Sequence, residues 1–173
     1  MNVIVVYRSK TGNTRRYAEW IAGELGADLF EASRCGIERI AQYDALVYGG
    51  GLYAAGINGV KLITNNLDRL AGKKIAVFAT GASPPREEAV QDVAEKNFTK
   101  EQLQALRFFY MRGGFDYEKL GSADRFLMNL LRKRLKKKKD LSADERGMLA
   151  AYDHPVDFVE KQNIAPLVDY IRS

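Results

Sequence analysis

The chain has 173 residues, of which 46% are hydrophobic, and this predicts one domain over residues 1–173 with a single core. Its only cysteine is Cys35 and its only histidine is His154, which excludes an intramolecular disulfide and leaves no Cys- or His-rich set of metal ligands. The sequence has neither a signal-peptide pattern nor a run of about 18 apolar residues, so we expect a cytoplasmic protein without a membrane span.

Five apolar runs of strand length alternate with helical patterns along the chain. The first helical pattern places Tyr17, Ile21 and Leu25 on one face. The predicted strands cover residues 3–7, 28–32, 45–48, 74–79 and 106–111. The predicted helices cover residues 13–25, 60–70, 86–96 and 156–171, and prolines introduce the last two. This alternation predicts an α/β fold, in which a doubly wound parallel sheet is covered by helices on both faces through right-handed crossovers.

The stretch between the fifth predicted strand and the closing helix is unusually long. It contains about 40 residues, more than a simple crossover requires. No Gly/Ser-rich linker borders it, and no internal repeat is visible. We therefore assign residues 115–153 to an insertion within the same domain.

Hydroxyl side chains, a glycine and a helix start occur together directly after the first predicted strand. A phosphate placed there would meet unpaired backbone N–H groups and the positive end of the helix dipole. The alternative is a well-capped turn without a ligand, because Ser, Thr and Asn are favoured at helix starts. The segment differs from the dinucleotide pattern of three spaced glycines and from the Gly-Lys-Ser/Thr phosphate loop. It reads Ser9-Lys10-Thr11-Gly12-Asn13-Thr14.

Two more candidate loops follow the third and fourth predicted strands, at the same edge of the sheet. Glycines there would let the backbone approach a flat ring closely, and backbone N–H groups could donate to the ring edge. Tyr53 could stack on such a ring, although Gly49–Gly51 could also be a turn that merely ends a strand. The candidate ligand-binding residues in these loops are Gly50, Gly51, Leu52, Tyr53, Ala54, Thr80, Gly81, Ala82 and Ser83.

The first of the three loops resembles the S/T-x-T-G-N-T phosphate loop of flavodoxins, which grips the phosphate of FMN. This resemblance covers roughly residues 1–112 and the closing helix. It implies a flavodoxin-like fold with five parallel strands in the order 2-1-3-4-5 and FMN bound at their carboxyl edge. It also implies that the other two loops bind the isoalloxazine ring.

The positive charge of the protein is concentrated in one stretch of the insertion. Residues 123–139 have a net charge of +7, which leaves −2 for the rest of the chain, whose total is +5. Within it, Asp124-Arg125-Phe126-Leu127-Met128 is similar to a segment of the bacterial quinone-dependent protoporphyrinogen dehydrogenases, flavodoxin-like proteins with a long insertion in the equivalent place. That resemblance implies an FMN-dependent enzyme of haem biosynthesis that oxidises protoporphyrinogen IX and reduces a quinone.

Two rival functions stay open. A flavodoxin electron carrier would shuttle electrons between redox proteins, but such carriers are typically acidic around the flavin edge, whereas this chain is basic. A quinone reductase using NAD(P)H directly would need a second nucleotide-binding motif, and none is visible. We assign no catalytic acid or base and no metal ligand, because the flavin would supply the redox chemistry.

Residues 123–139 are predicted to form an amphipathic basic helix. Phe126, Leu130 and Leu131 fall on one face, with Leu127 and Leu135, and lysines and arginines extend toward the others. This pattern suits peripheral contact with an anionic membrane or an acidic apolar ligand, but a helix packed on the domain with solvated lysines fits equally well. No nucleic-acid motif accompanies the basic run, so we expect no nucleic-acid partner, and the sequence leaves the oligomeric state open.

Overall fold

The computed structural model describes all residues, 1–173, and is built around a parallel five-stranded sheet. Its strands are β1 (Val3–Arg8), β2 (Asp28–Glu31), β3 (Ala45–Tyr53), β5 (Lys74–Gly81) and β6 (Arg107–Arg112). They lie in the order β2-β1-β3-β5-β6, and a short β4 (Gly56–Ile57) turns back antiparallel onto the end of β3. Without β4 this is the order 2-1-3-4-5, so the predicted doubly wound flavodoxin-like fold is confirmed.

Helices cover both faces of the sheet. On one face, α1 (Asn13–Leu25) and α8 (Ala165–Arg172) pack against β1, β3 and β5. The other face is covered by α2 (Ile37–Ile40), α3 (Lys61–Thr64), α4 (Glu87–Asn97) and the chain around α5 (Lys100–Ala105). Two apolar clusters result, one on each side of the sheet. Because the strands are parallel, their carboxyl ends lie at the same edge of the sheet. None of the helices combines the length and apolar character needed to cross a bilayer.

Several predicted boundaries are wrong, among them the end of the fourth strand, because Thr80 and Gly81 continue β5 by pairing with β6. Gly49–Gly51 continue β3 instead of ending it, because all three pair with β5. The predicted helix over residues 60–70 is divided into α3 and a 3-10 turn at Leu67–Leu70. The closing helix starts at Ala165, where Pro166 occupies its first turn, and not at residue 156.

Residues 156–157 instead form β8 (Val156–Asp157), which pairs antiparallel with β7 (Gly114–Phe115). This two-stranded ribbon closes the base of the insertion, so the extra segment begins and ends at the carboxyl end of β6. Between the two strands lie α6 (Ser122–Lys137) and α7 (Ala143–Asp153). Ser142 begins α7 with a capping box in which its hydroxyl accepts from the Glu145 N–H.

Tyr48, in β3, gives the fold a testable dependence on pH. Its buried hydroxyl donates to the Asn58 carbonyl at 2.8 Å, and burial raises its pKa from 10 to about 12. A pKa raised by folding contributes stability that is present below pH 10 and is lost as the pH rises through about 12. We expect urea denaturation to show a falling free energy of unfolding over this range. Tyr48→Phe should make that fall shallower while costing about 1 kcal/mol at neutral pH; an equally steep fall in the variant would contradict the assignment.

Candidate functional site

A cavity of about 740 Å³ opens at the carboxyl edge of the sheet. Its volume lies in the range typical of cofactor and ligand sites. The structure brings most of the predicted site residues together around it: Lys10, Thr11, Asn13, Thr14, Gly51, Leu52, Tyr53, Ala54, Thr80, Gly81, Ala82 and Ser83. The three loops chosen from the sequence therefore converge on one space, although their contact with a ligand stays a prediction.

Ser9, Gly12 and Gly50 are the predicted site residues that do not line this cavity. Ser9 instead shapes the loop, because its hydroxyl accepts from the Gly12 N–H at 3.1 Å. Gly50 is covered by the turn after β4, and a Cβ there would lie 2.6 Å from the Asn58 carbonyl oxygen. Gly12 lines a smaller cleft of about 400 Å³ beside the first loop, together with Arg15 and Arg16. None of these three residues faces the main cavity.

The first loop presents unpaired backbone donors to the cavity. Gly12 adopts a left-handed conformation with φ of 95°, which turns the chain from β1 into α1. Apart from the Gly12 N–H, no backbone N–H from Lys10 to Arg15 donates to a protein acceptor. These donors stand at the positive end of the thirteen-residue α1, so the loop is suited to a phosphate.

Two buried threonine hydroxyls join the first loop to the end of β5. Thr14 Oγ1 and Thr80 Oγ1 lie 2.7 Å apart, and both side chains are almost fully buried. A hydroxyl pair uses only one of its two hydrogens internally, so one O–H remains to donate toward the cavity. The pair thus fixes the distance between the two loops and keeps one donor available.

The glycines at the edge of the cavity have separate structural reasons. A Cβ on Gly81 would lie 2.6 Å from the Tyr110 hydroxyl and 2.9 Å from Leu52, so a side chain there would displace the cavity wall. A Cβ on Gly51 would contact Tyr53 and Thr14 at 3.5 Å or more, which is ordinary packing distance. The packing of Tyr110 and Leu52 therefore requires glycine at position 81, whereas position 51 has room for an alanine side chain.

The last residue of β3, Tyr53, places its aromatic ring over the first loop. The Tyr53 ring lies 4.2 Å from the Lys10 ammonium, and Lys10 also pairs with Asp124 of α6 at 3.1 Å. Ala54 and Ala55 both have positive φ, which is strained for alanine. Lys96 and Asn97 of α4 stabilise this turn by donating to the two alanine carbonyls at 2.7 Å.

Burial, together with the nearby Asp124 carboxylate, raises the pKa of Tyr53 to about 12. Burial likewise raises the pKa of Tyr110 to about 12, and its hydroxyl donates to the Ser83 carbonyl at 2.8 Å. Both phenols are therefore protonated at neutral pH, but Tyr110 already donates its hydrogen to Ser83, so only Tyr53 can donate to a ligand. Tyr110 was missed in the sequence because its position in β6 gave no local signal for a site.

The insertion supplies a wall of the cavity. Leu120, Leu127, Met128 and Leu131 from α6 and the chain before it, with Met148 from α7, line the space opposite the three loops. Two charged contacts join the insertion to the rest of the domain: Lys10 with Asp124, and Arg86 with Asp144 at 2.8 Å. The ligand edge of the sheet is thereby converted into a pocket with an apolar far side.

The doubly wound fold and the unpaired backbone donors before α1 define an α/β domain with a candidate phosphate site, and comparison with known proteins identifies its family. A sequence model of the flavodoxin domain matches residues 4–142, which is most of the chain. The chain belongs to the flavodoxin domain family, and its cofactor is FMN.

Other comparisons give weaker similarities. An uncharacterized protein of Methanocaldococcus jannaschii is 31% identical over 87 residues, which are 49% of this chain and 57% of that protein. The chain therefore matches little more than half of the length of this relative. The solution structure of two-electron reduced Megasphaera elsdenii flavodoxin is 18% identical, with 64% of this chain and 84% of that chain covered and a TM-score of 0.46. The crystal structure of oxidised Flavodoxin 1 from Bacillus cereus is 17% identical, with 80% and 100% covered and a TM-score of 0.45.

The residues around the cavity fit FMN. Backbone N–H groups of the first loop would hold the phosphate, with Thr11 and Thr14 as side-chain donors. Gly51 and Gly81 both line the cavity, so the flat ring would meet backbone and no side chain at these two positions. The same cavity is also lined by residues of the insertion.

Proposed function

We propose that this protein is an FMN-dependent oxidoreductase whose small-molecule substrate binds between the flavin loops and the insertion. The observation that carries the proposal is the apolar wall formed by Leu127, Met128, Leu131 and Met148. An electron carrier needs an exposed flavin edge for docking of a protein, whereas an insertion across that edge creates a pocket of small-molecule size.

We further propose protoporphyrinogen IX as the substrate and a quinone as the electron acceptor. The resemblance of residues 124–128 to the protoporphyrinogen dehydrogenases supports this choice, as does the apolar wall, which suits a large flat ring. The charged residues that line the cavity are Lys10 and three aspartates, Asp92, Asp116 and Asp124. The propionates of the substrate would therefore lie outside the cavity, toward the basic side chains of α6.

The redox step comes from the cofactor, because bound FMN can accept a hydride and pass on its electrons. The protein's part is to bind, orient and exclude water. Tyr53 would act as a neutral donor at the cavity wall, Tyr110 would support that wall through its hydrogen bond to the Ser83 carbonyl, and the Lys10–Asp124 pair would hold α6 over the site. We propose no residue as a general acid or base.

The proposal is tested by anaerobic turnover of protoporphyrinogen IX by the FMN-loaded protein with a water-soluble menaquinone analogue. We expect fluorescent protoporphyrin to form only when the quinone is present. Leu131→Trp should fill the apolar side of the cavity and lower the rate at least about tenfold, since a misplaced substrate loses orientation. Leu130→Trp is the matched control, because Leu130 lies on the exposed side of the same helix.

Absence of turnover in the unmodified protein would overturn the assignment of this substrate and acceptor. If the same preparation then exchanges electrons rapidly with a redox protein, the carrier function would replace it. Equal inhibition by Leu130→Trp and Leu131→Trp would contradict the position of the substrate.

A further inference from the structure

Helix α6 exposes an apolar surface that adjoins the cavity. Phe126, Leu127 and Leu130 are 64%, 60% and 50% exposed, and the other large exposed apolar side chains are Met1 and Leu103. The apolar residues of this helix therefore divide into two groups. Met128 and Leu131 line the cavity and Leu135 is buried, whereas Phe126 and Leu130 lie outside the cavity and are largely exposed. Leu127 is exposed and also lines the cavity.

The basic side chains of α6 also divide into two groups. Arg125 contacts Glu118, and Arg132 pairs with Asp153 at 3.0 Å, while Lys138 beyond the helix pairs with Glu145 at 2.7 Å. The remaining basic residues, which make no ion pair and are exposed, are Lys133, Arg134, Lys136 and Lys137. These four charges are therefore available to an external partner.

Helical spacing places the two available groups on one continuous surface. Phe126, Leu130, Lys133 and Lys137 follow one another at intervals of four, three and four residues, which is the spacing of a single helix face. Leu127 and Arg134, seven residues apart, lie beside that row. The resulting docking face of α6 is apolar in its first half and positively charged in its second half.

We propose that the docking face of α6 binds the surface of an anionic lipid bilayer. Exposed Phe and Leu side chains can enter the boundary between headgroups and acyl chains, while the basic side chains contact anionic headgroups. The basic side chains could also contact the phosphates of a nucleic acid, but a nucleic acid would not bury the three neighbouring exposed apolar side chains. The combination therefore favours a lipid surface.

The docking face is continuous with the cavity, because Leu127 belongs to both. A helix lying on the bilayer would bring the apolar wall of the cavity beside the lipid. This deepens the proposed function, since it gives a lipid-soluble quinone a short route to the site. Membrane binding itself requires no turnover, so it can be measured independently of that function.

The test is co-sedimentation of the FMN-loaded protein with vesicles of phosphatidylcholine alone and with vesicles of equal parts phosphatidylcholine and phosphatidylglycerol. We expect binding to the anionic vesicles at least about tenfold tighter than to the neutral ones, and weakening at high salt. No binding to anionic vesicles would overturn the proposal. Binding to a DNA duplex in place of the vesicles would replace it with a nucleic-acid function.

Paired variants separate the two halves of the docking face. Lys133→Gln with Lys137→Gln should weaken binding at least about tenfold, whereas Lys61→Gln with Lys100→Gln, exposed lysines on α3 and α5, removes equal charge elsewhere. Phe126→Ala with Leu130→Ala should weaken it similarly, with Leu103→Ala as the control. FMN content and circular dichroism verify folding. Equal losses in the variants and their controls would overturn the assignment to α6.

Discussion

Thr14→Val is expected to raise the dissociation constant of FMN by about tenfold to a hundredfold. The substitution removes a hydroxyl at the start of α1, where a hydrogen bond to a charged phosphate contributes about 1.5–3 kcal/mol. Valine has nearly the shape of threonine, so the packing of this buried residue is largely kept. Fluorescence titration of the apoprotein with FMN measures the change.

Thr80→Val is the matched control for this prediction. It removes the same 2.7 Å hydroxyl pair but leaves the Thr14 hydroxyl at the phosphate loop. Its effect on FMN should therefore be several-fold smaller than that of Thr14→Val. If the two variants lose affinity equally, the hydroxyl pair and not a phosphate contact explains the role of Thr14.

Gly49→Ala is expected to lower the free energy of unfolding by about 3 kcal/mol, at the upper end of overpacking effects. Gly49 lies in β3 opposite Phe78 of β5, and an added Cβ would lie within 2.8 Å of three atoms of the Phe78 ring. Both residues belong to the centre of the sheet, where the backbone cannot yield easily. Urea denaturation of the variant measures the loss.

Two companion variants identify the cause. Phe78→Leu combined with Gly49→Ala should recover part of the stability lost in the single glycine variant, because the aromatic ring is the group that clashes. Gly51→Ala, where the nearest contact is 3.5 Å away, should leave stability within about 1 kcal/mol of the unmodified protein. An equal loss at Gly49 and Gly51 would show that backbone freedom, and not the Phe78 ring, sets the requirement.

Local patterns predicted the core of the fold. The first helix was placed at Asn13–Leu25, as observed, because a helix start, a phosphate-type loop and an amphipathic spacing coincide there. The strand order followed from the flavodoxin resemblance and the regular alternation. The sequence predicts a loop at the triple glycine because glycine ends many strands, yet β5 pairs with all three glycines and β1 pairs with Gly49 and Gly50.

Contacts between residues far apart in the chain could not be predicted from local sequence patterns. The two-stranded ribbon of β7 and β8 joins segments about 40 residues apart, and neither is longer than two residues. The apolar residues of α6 were expected on a single face, but the structure divides them between the cavity and an exposed surface. Tyr110 and Met148 reach the cavity from β6 and α7, and nothing in their local sequence marks them as site residues.

We propose above that the insertion completes a substrate pocket over the FMN site. It is tested most directly by stopped-flow reoxidation of the reduced FMN-loaded protein by a soluble quinone, comparing the unmodified protein with Met148→Trp. We predict a rate that saturates with quinone concentration and falls at least about tenfold in Met148→Trp at unchanged FMN content, because the larger side chain occupies the pocket. An unchanged rate in the variant would contradict the claim.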